Sequence, residues 1–246
     1  MTGWLAYLWL EAKRQWRNRE ILIFRLGLPL AIYLILIAVQ DQPEQAGRGL
    51  PWQTGRMVAL AALGAVISGL ASGPSLGEDR ANGWLRQLRV TPLRPSAAVA
   101  AKIAVAMSFA LPAIALVAAA GALLDQVALG WAQWLGLVGG MWLATAPLTA
   151  LGALIGLAFS AEAAQGATTL AFVVLWLLGG IFTPPDNLPD SLAALSRALP
   201  SYGVVQVGNG LAGGTSIPAS AVVVLAAWTA GAGALAALAW RRVHTR

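Results

Sequence analysis

Six runs of roughly 20 mostly apolar residues follow one another along the chain, each long enough to cross a bilayer as a helix. They lie near Ile21 to Val39, Met57 to Leu76, Ile103 to Leu124, Leu135 to Phe159, Ala163 to Phe182 and Ile217 to Trp240. The runs are rich in Gly and Ala and lack the alternation of a membrane barrel. The pattern therefore predicts an all-α integral membrane protein with six transmembrane helices, residues 1–246 forming a single domain.

Two shorter patterns flank these runs. Within 1–20, Leu5, Trp9, Ala12 and Trp16 recur at steps of four, three and four, with Arg14, Arg17 and Asn18 opposite. That spacing predicts an amphipathic helix lying in the membrane interface, basic face toward anionic lipid, either as an anchor or as a mechanical part. Between the fifth and sixth runs, residues 179–202 read GGIFTPPDNLPDSLAALSRALPSY. The double proline, Pro184 and Pro185, cannot continue a helix. After it Leu188, Leu192, Leu195 and Leu199 recur at helical steps until Pro200, predicting a helix too short to span that dips back from the outer face as a re-entrant segment.

Small residues form stripes within the spans: Gly64, Ser68, Ser72 and Ser75 in the second, and Thr145, Thr149, Gly152 and Gly156 in the fourth. Such stripes let helices approach closely and share hydroxyl hydrogen bonds; contact with a cargo is the alternative.

Composition agrees with the pattern. The 246 residues are 58% hydrophobic and only 11% charged, with a mean hydropathy of +0.70. The net charge of +6 sorts by side of a membrane rather than marking a nucleic-acid surface. With the N-terminus inside, thirteen of the sixteen Lys and Arg residues fall on or beside cytoplasmic segments, and only Arg48, Arg56 and Arg197 lie outside. That is a positive-inside bias, which puts both termini in the cytoplasm. Arg25, Arg56, Lys102 and Glu162 sit near span ends, where they are expected to snorkel or face water, so no proton or sodium relay is expected.

Catalytic chemistry is hard to build from what remains. There is no cysteine, the single histidine is His244 in the tail, and no G-x-x-x-x-G-K-[ST] phosphate loop occurs. The expectation is a protein that is not an enzyme, binds no metal or cofactor, and takes any driving energy from another chain.

The main cytoplasmic loop, 78–101, begins EDRANGWLRQLRVTPLRP. It resembles the loop of bacterial ABC-2 type permeases, the membrane subunits of type V ABC exporters, where a pattern like E-R-E-x-G-T-L-E-x-L-L-x-T-P precedes the third span. Asp79, Arg80, Gly83, Leu85, Leu88, Thr91 and Pro92 match that pattern. Ala81, Trp84, Arg86 and Arg89 depart from it. A second likeness lies at Gly180, Phe182, Pro184, Leu188, Pro189, Leu199, Pro200 and Tyr202, which is similar to the family's outer segment before the last span.

The resemblance implies a coupling helix over Asp79 to Val90 that docks on a separate ATPase subunit, Trp84, Leu85 and Leu88 offering an apolar knob. It also implies an outer gate built from residues 182–202, Leu192 and Leu195 included. The implied assembly is two permease halves, as a homodimer or with a homologous partner, two ATPase copies that bind ATP and Mg, and surrounding lipid in the bacterial plasma membrane. The cargo expected for a nearly uncharged interior is a hydrophobic drug, natural product or lipid. A haem-export or glycan permease, a self-contained secondary carrier and a non-transporting membrane subunit are the alternatives.

Overall fold

The computed structural model describes residues 2–39, 50–83 and 95–244. Every regular element among them is helical. Helix α1 (Thr2–Arg17) is followed by α2 (Arg19–Leu22), a π-helical turn (Ile23–Gly27) and α3 (Leu28–Ala38). Then come α4 (Trp52–Leu70), α5 (Ser72–Ala81), α6 (Pro95–Leu124), α7 (Trp131–Leu143), α8 (Ala146–Ala158) and α9 (Ala161–Leu178). The chain closes with α10 (Asp190–Ala198), α11 (Pro200–Ala212) and α12 (Ala219–His244).

Among the described residues five stretches are long and apolar enough to cross a membrane: Trp52–Ala81, Val99–Leu124, Trp131–Ala158, Ala161–Leu178 and Ala219–Trp240. They coincide with the second to sixth expected runs. The first run instead gives a shorter apolar helix, Ile23–Ala38. Pro29 has no N–H to give the carbonyl of Arg25, and the wider π turn just before it accommodates the proline ring.

Helix α4 is the centre of the bundle. Every residue from Arg56 to Leu70 is buried, and α3, α6, α7, α8, α9 and α11 all pack against it. By contrast few residues of α9 and of the Ala219–Trp240 stretch of α12 are buried.

The fourth-span stripe packs on the second span around Ser72, whereas Gly64 lies against Ala113 of α6 and Ser75 bonds Lys102. A Cβ on Gly152 would lie 2.6 Å from Ser72 Oγ and 2.9 Å from the carbonyl oxygens of Gly69 and Leu70, and Gly156 abuts the Gly73 carbonyl in the same way. Ser72 Oγ lies 3.3 Å from both the Gly69 and Thr149 carbonyl oxygens, and donates across this interface. Thr145 and Thr149 bond within their own span, to Met141 O at 3.0 Å and Ala146 O at 2.8 Å. Ser68 is fully buried without a hydrogen-bond partner. Close helix approach is what the structure shows at Gly152, Gly156 and Ser72.

Helix α11 is absent from the sequence expectation, which ended the short helix at Pro200 and began the last span at Ile217. It runs antiparallel to α12, with Gly203 against Leu225 and Gly210 against Ile217. Ten of its residues are buried. At its far end Gln133 Nε2 donates to the Ala212 carbonyl, and at its near end Trp228 Nε1 donates to the Ala198 carbonyl at 2.8 Å. Trp228 stands nine residues along α12 from Ala219, so the α10–α11 corner lies roughly 13 Å along α12 from its start.

Replacing Gly152 by Val should drive a branched side chain into the backbone of α4 and lower stability by about 1–3 kcal/mol. Gly166, whose Cβ position is open, should accept Ala without loss. Thermal unfolding of the two variants in detergent checks both; equal midpoints would remove the tight interface from the account.

Candidate functional site

A charge cluster lies where α1, α5 and α6 converge. Glu11 and Gln15 are four apart on α1 and share a face, as do Ser75 and Asp79 on α5. Lys102 of α6 projects between them and is 1% exposed. Its ammonium donates to Glu11 Oε1 at 3.0 Å and to Ser75 Oγ at 2.7 Å. Asp79 Oδ2 lies 2.9 Å from the same nitrogen, a charge contact off the hydrogen-bond direction. A buried ammonium costs several kcal/mol unless surrounded in this way.

The cluster continues into the first apolar helix. Gln15 Nε2 donates to Glu11 Oε1 at 3.0 Å, while Arg25 NH1 donates to Gln15 Oε1 at 2.8 Å. The Arg25 guanidinium also lies 5.1 Å from the centre of the Phe109 ring, on which Trp16 stacks at 4.7 Å. Gln15 thus joins a cation on one side to a carboxylate on the other. Arg14, mostly exposed, approaches Asp79 at 3.7 Å and Glu11 at 3.9 Å.

Arg80 points the opposite way from Asp79. Its guanidinium donates to the carbonyls of Gly156, Leu157 and Phe159 at 3.1, 2.6 and 3.1 Å. Those oxygens have no partner within the helix, so the arginine caps the end of α8. Two consecutive residues therefore tie the end of α5 to α1 and α6 on one side and to α8 on the other. The helix stops there: Gly83 adopts φ +69° and donates to the Arg80 carbonyl at 3.1 Å. The expected helix from Asp79 to Val90 is thus interrupted at Gly83, since a left-handed residue cannot continue it. Trp84, Leu85, Leu88, Thr91 and Pro92 lie outside the described residues, as do Arg86 and Arg89.

A second cluster occupies the opposite end of the bundle. Arg56 NH2 lies 2.6 Å from Asp125 Oδ2, both side chains being 4% exposed. Arg56 NH1 donates to the Leu36 carbonyl in the last turn of α3 at 2.9 Å, and Tyr33 Oη donates to Asp125 Oδ2 at 2.9 Å. Arg25, Arg56 and Lys102 are therefore buried rather than snorkelling, because each finds partners on a neighbouring helix. Glu162 is exposed as expected.

A signal for both clusters was present in the sequence. Arg56 and Asp79 are 23 residues apart, as are Lys102 and Asp125. On two antiparallel helices that equal spacing, roughly 35 Å, brings opposite charges together at both ends.

The residues of the expected outer gate are spread over one end of the bundle. Gly180 has φ +75°, and a Cβ there would lie 3.1 Å from the Tyr202 ring. Phe182 is exposed and tilts against Trp176 at 5.3 Å. Leu199 and Pro200 are buried, Pro184 and Leu188 partly so, and Pro189 is exposed. On α10 the side turned to the protein carries Ala193 and Ser196, so Leu192 and Leu195 are exposed.

In Glu11, burial raises the carboxyl's pKa, but the Lys102 charge and the hydrogen bonds from Gln15 and Lys102, with Arg14 nearby, outweigh it and hold it below its usual value. A lowered folded value means that Glu11 contributes stability above the ordinary carboxylate range and loses it as pH falls through that lowered value. The native chain should therefore lose stability to denaturant in detergent as pH falls below the ordinary carboxylate range, and Glu11→Gln should flatten that dependence. Lys102→Met, which leaves two facing carboxylates, should cost about 3–5 kcal/mol in denaturation at neutral pH. At the other cluster, Arg56→Asp and Asp125→Arg should each destabilise, and the double exchange should recover most of the loss; no recovery would disprove the pairing.

Known sequences place this helical bundle. The family model for the ABC-2 type transporter matches residues 2–207. The chain is also 27% identical over 197 residues to a protein of Bacillus subtilis (strain 168) named "Putative transport permease YvfS", covering 78% of each chain. With a matching family model across most of its length, the chain belongs to the ABC-2 type transporter family.

Proposed function

We propose that this chain is the membrane half of an ATP-driven exporter, working as a dimer with two copies of a separate ABC-type ATPase that binds ATP and Mg. The observation that carries the reading is the fixing of the end of α5, immediately before residues 84–94. Asp79 and Arg80 tie that point to α1, α6 and α8. Force applied by a partner to the following loop would therefore be delivered to three helices together rather than absorbed by one.

The positive-inside bias puts the α1 end on the cytoplasmic side of a bacterial plasma membrane, with α3 as the first of six spans. In that orientation the loop containing Trp84, Leu85 and Leu88 faces the ATPase, and α10 and α11 form a re-entrant hairpin at the outer face. The exposed Leu192 and Leu195 then offer an apolar surface where the two permease halves part. The cargo best suited to this interior is hydrophobic or amphipathic. The carboxylates of Glu11, Asp79 and Asp125 each pair with a cation near a bundle end, an arrangement that favours mechanical coupling over a secondary carrier's proton relay.

Tagged chain purified from native membranes in mild detergent should bring down a phosphate-loop ATPase, identified by mass spectrometry. Leu88→Asp should reduce its recovery roughly tenfold or more while leaving membrane insertion intact. Absence of any ATPase, under conditions that preserve a control complex, would overturn the reading. Replacing Leu192 and Leu195 together by Ser should impair export without disturbing assembly; normal export would remove the outer gate.

A further inference from the structure

Helix α1 turns Glu11 and Gln15 inward and leaves large apolar side chains and its cations outward. Glu11 and Gln15 are buried, while Leu5, Trp9 and Trp16 are 56%, 59% and 44% exposed. Glu11 is the only carboxylate on the helix and faces Lys102, so the exposed surface carries Lys13, Arg14 and Arg17 with no acid between them. At the helical step of about 100° per residue, Leu5, Trp9 and Trp16 form one flank of that surface, Lys13 its middle, and Arg17 and Arg14 the other flank. Lys13 Nζ lies 4.6 Å from the centre of the Trp9 ring, joining the two flanks.

Aromatic and aliphatic side chains left in the open beside an unopposed row of cations fit a bilayer leaflet containing anionic phospholipid. Arg14 gives this surface a link to the interior. It is 63% exposed, yet stands 3.7 Å from Asp79 and 3.9 Å from Glu11, too far for strong hydrogen bonds to either. Its donors are therefore free to take a phosphate oxygen while its charge still balances the two carboxylates.

We propose that α1 is a binding surface for anionic phospholipid, in which Lys13 and Arg17 take headgroup phosphates, Leu5, Trp9 and Trp16 enter the acyl boundary, and Arg14 is shared between a phosphate and the Glu11–Asp79 pair. The charge of the leaflet is thereby read by the cluster that fixes the end of α5. The inference requires only that α1 lie at a membrane surface, and it stands or falls separately from the export reading.

The test compares the full chain reconstituted with spin-labelled phosphatidylglycerol and with spin-labelled phosphatidylcholine of the same acyl chains. The native chain should prefer phosphatidylglycerol, and added salt should weaken the preference. Lys13→Gln with Arg17→Gln should lower it by about fivefold per cation removed. Both side chains are exposed, so the variant should fold normally, and Arg197→Gln at the opposite end should change nothing. An unchanged preference in the double variant overturns the proposal, as does an equal loss in Arg197→Gln, which would reduce the effect to net charge. Intact preference combined with lost recovery of a partner protein would assign the surface to that protein instead.

Discussion

Lys102 is almost wholly buried, and an ammonium taken out of water must be matched on the spot by carboxylates and acceptors. Glu11, Asp79 and Ser75 meet that demand, and in doing so they fix where α1, α5 and α6 stand relative to one another. A buried ion pair is weak evidence for stability, since an apolar replacement of equal volume often does as well. Its stronger consequence is register. Because Arg56 and Asp125 repeat the pairing 23 residues away on the same two helices, the α4–α5 rod and α6 cannot slide past each other without leaving charge unpaired at both ends.

The remaining packing follows from that fixed pair. With α4 and α5 held against α6, their glycine and serine face is presented to α8, where Gly152 and Gly156 admit backbone contact. Arg80 then closes the end of α8, and α12 lies along that helix on the outside of the bundle. Charged contacts set the ends, while close backbone approach fills the middle. This division suits a bilayer, in which apolar contact between helices competes with equally apolar lipid and gives little selectivity by itself.

Much of this was legible from the chain alone. Long apolar runs declare themselves, and five of the six expected spans formed with ends shifted by only a few residues. The first run is helical too, but Pro29 places a π turn within it, an effect of one missing donor that hydropathy does not register. Helix α11 was hidden because its sequence, PSYGVVQVGNGLA, reads as a glycine-rich loop. Those glycines serve close packing instead, Gly203 against Leu225 and Gly208 against Val58. The buried charges were misread because each was considered singly as a residue near a span end, whereas the equal spacing of Arg56 to Asp79 and Lys102 to Asp125 becomes visible only when two helices are compared. Asp79 and Arg80 were expected to belong to a docking helix; among the described residues their side chains anchor the end of α5.

The central claim is that α1, α5 and α6 form one mechanical unit held by Lys102. Because the chain has no native cysteine, spin labels can be placed at exposed Leu10 of α1 and Ala100 of α6 and their separation measured by electron–electron double resonance. The measurement compares the nucleotide-free state with a nucleotide-trapped complex. The account predicts one narrow distance common to both states when Lys102 is present, and a broadened distribution in Lys102→Met. A distance that changes with nucleotide while the charge cluster is intact would contradict it.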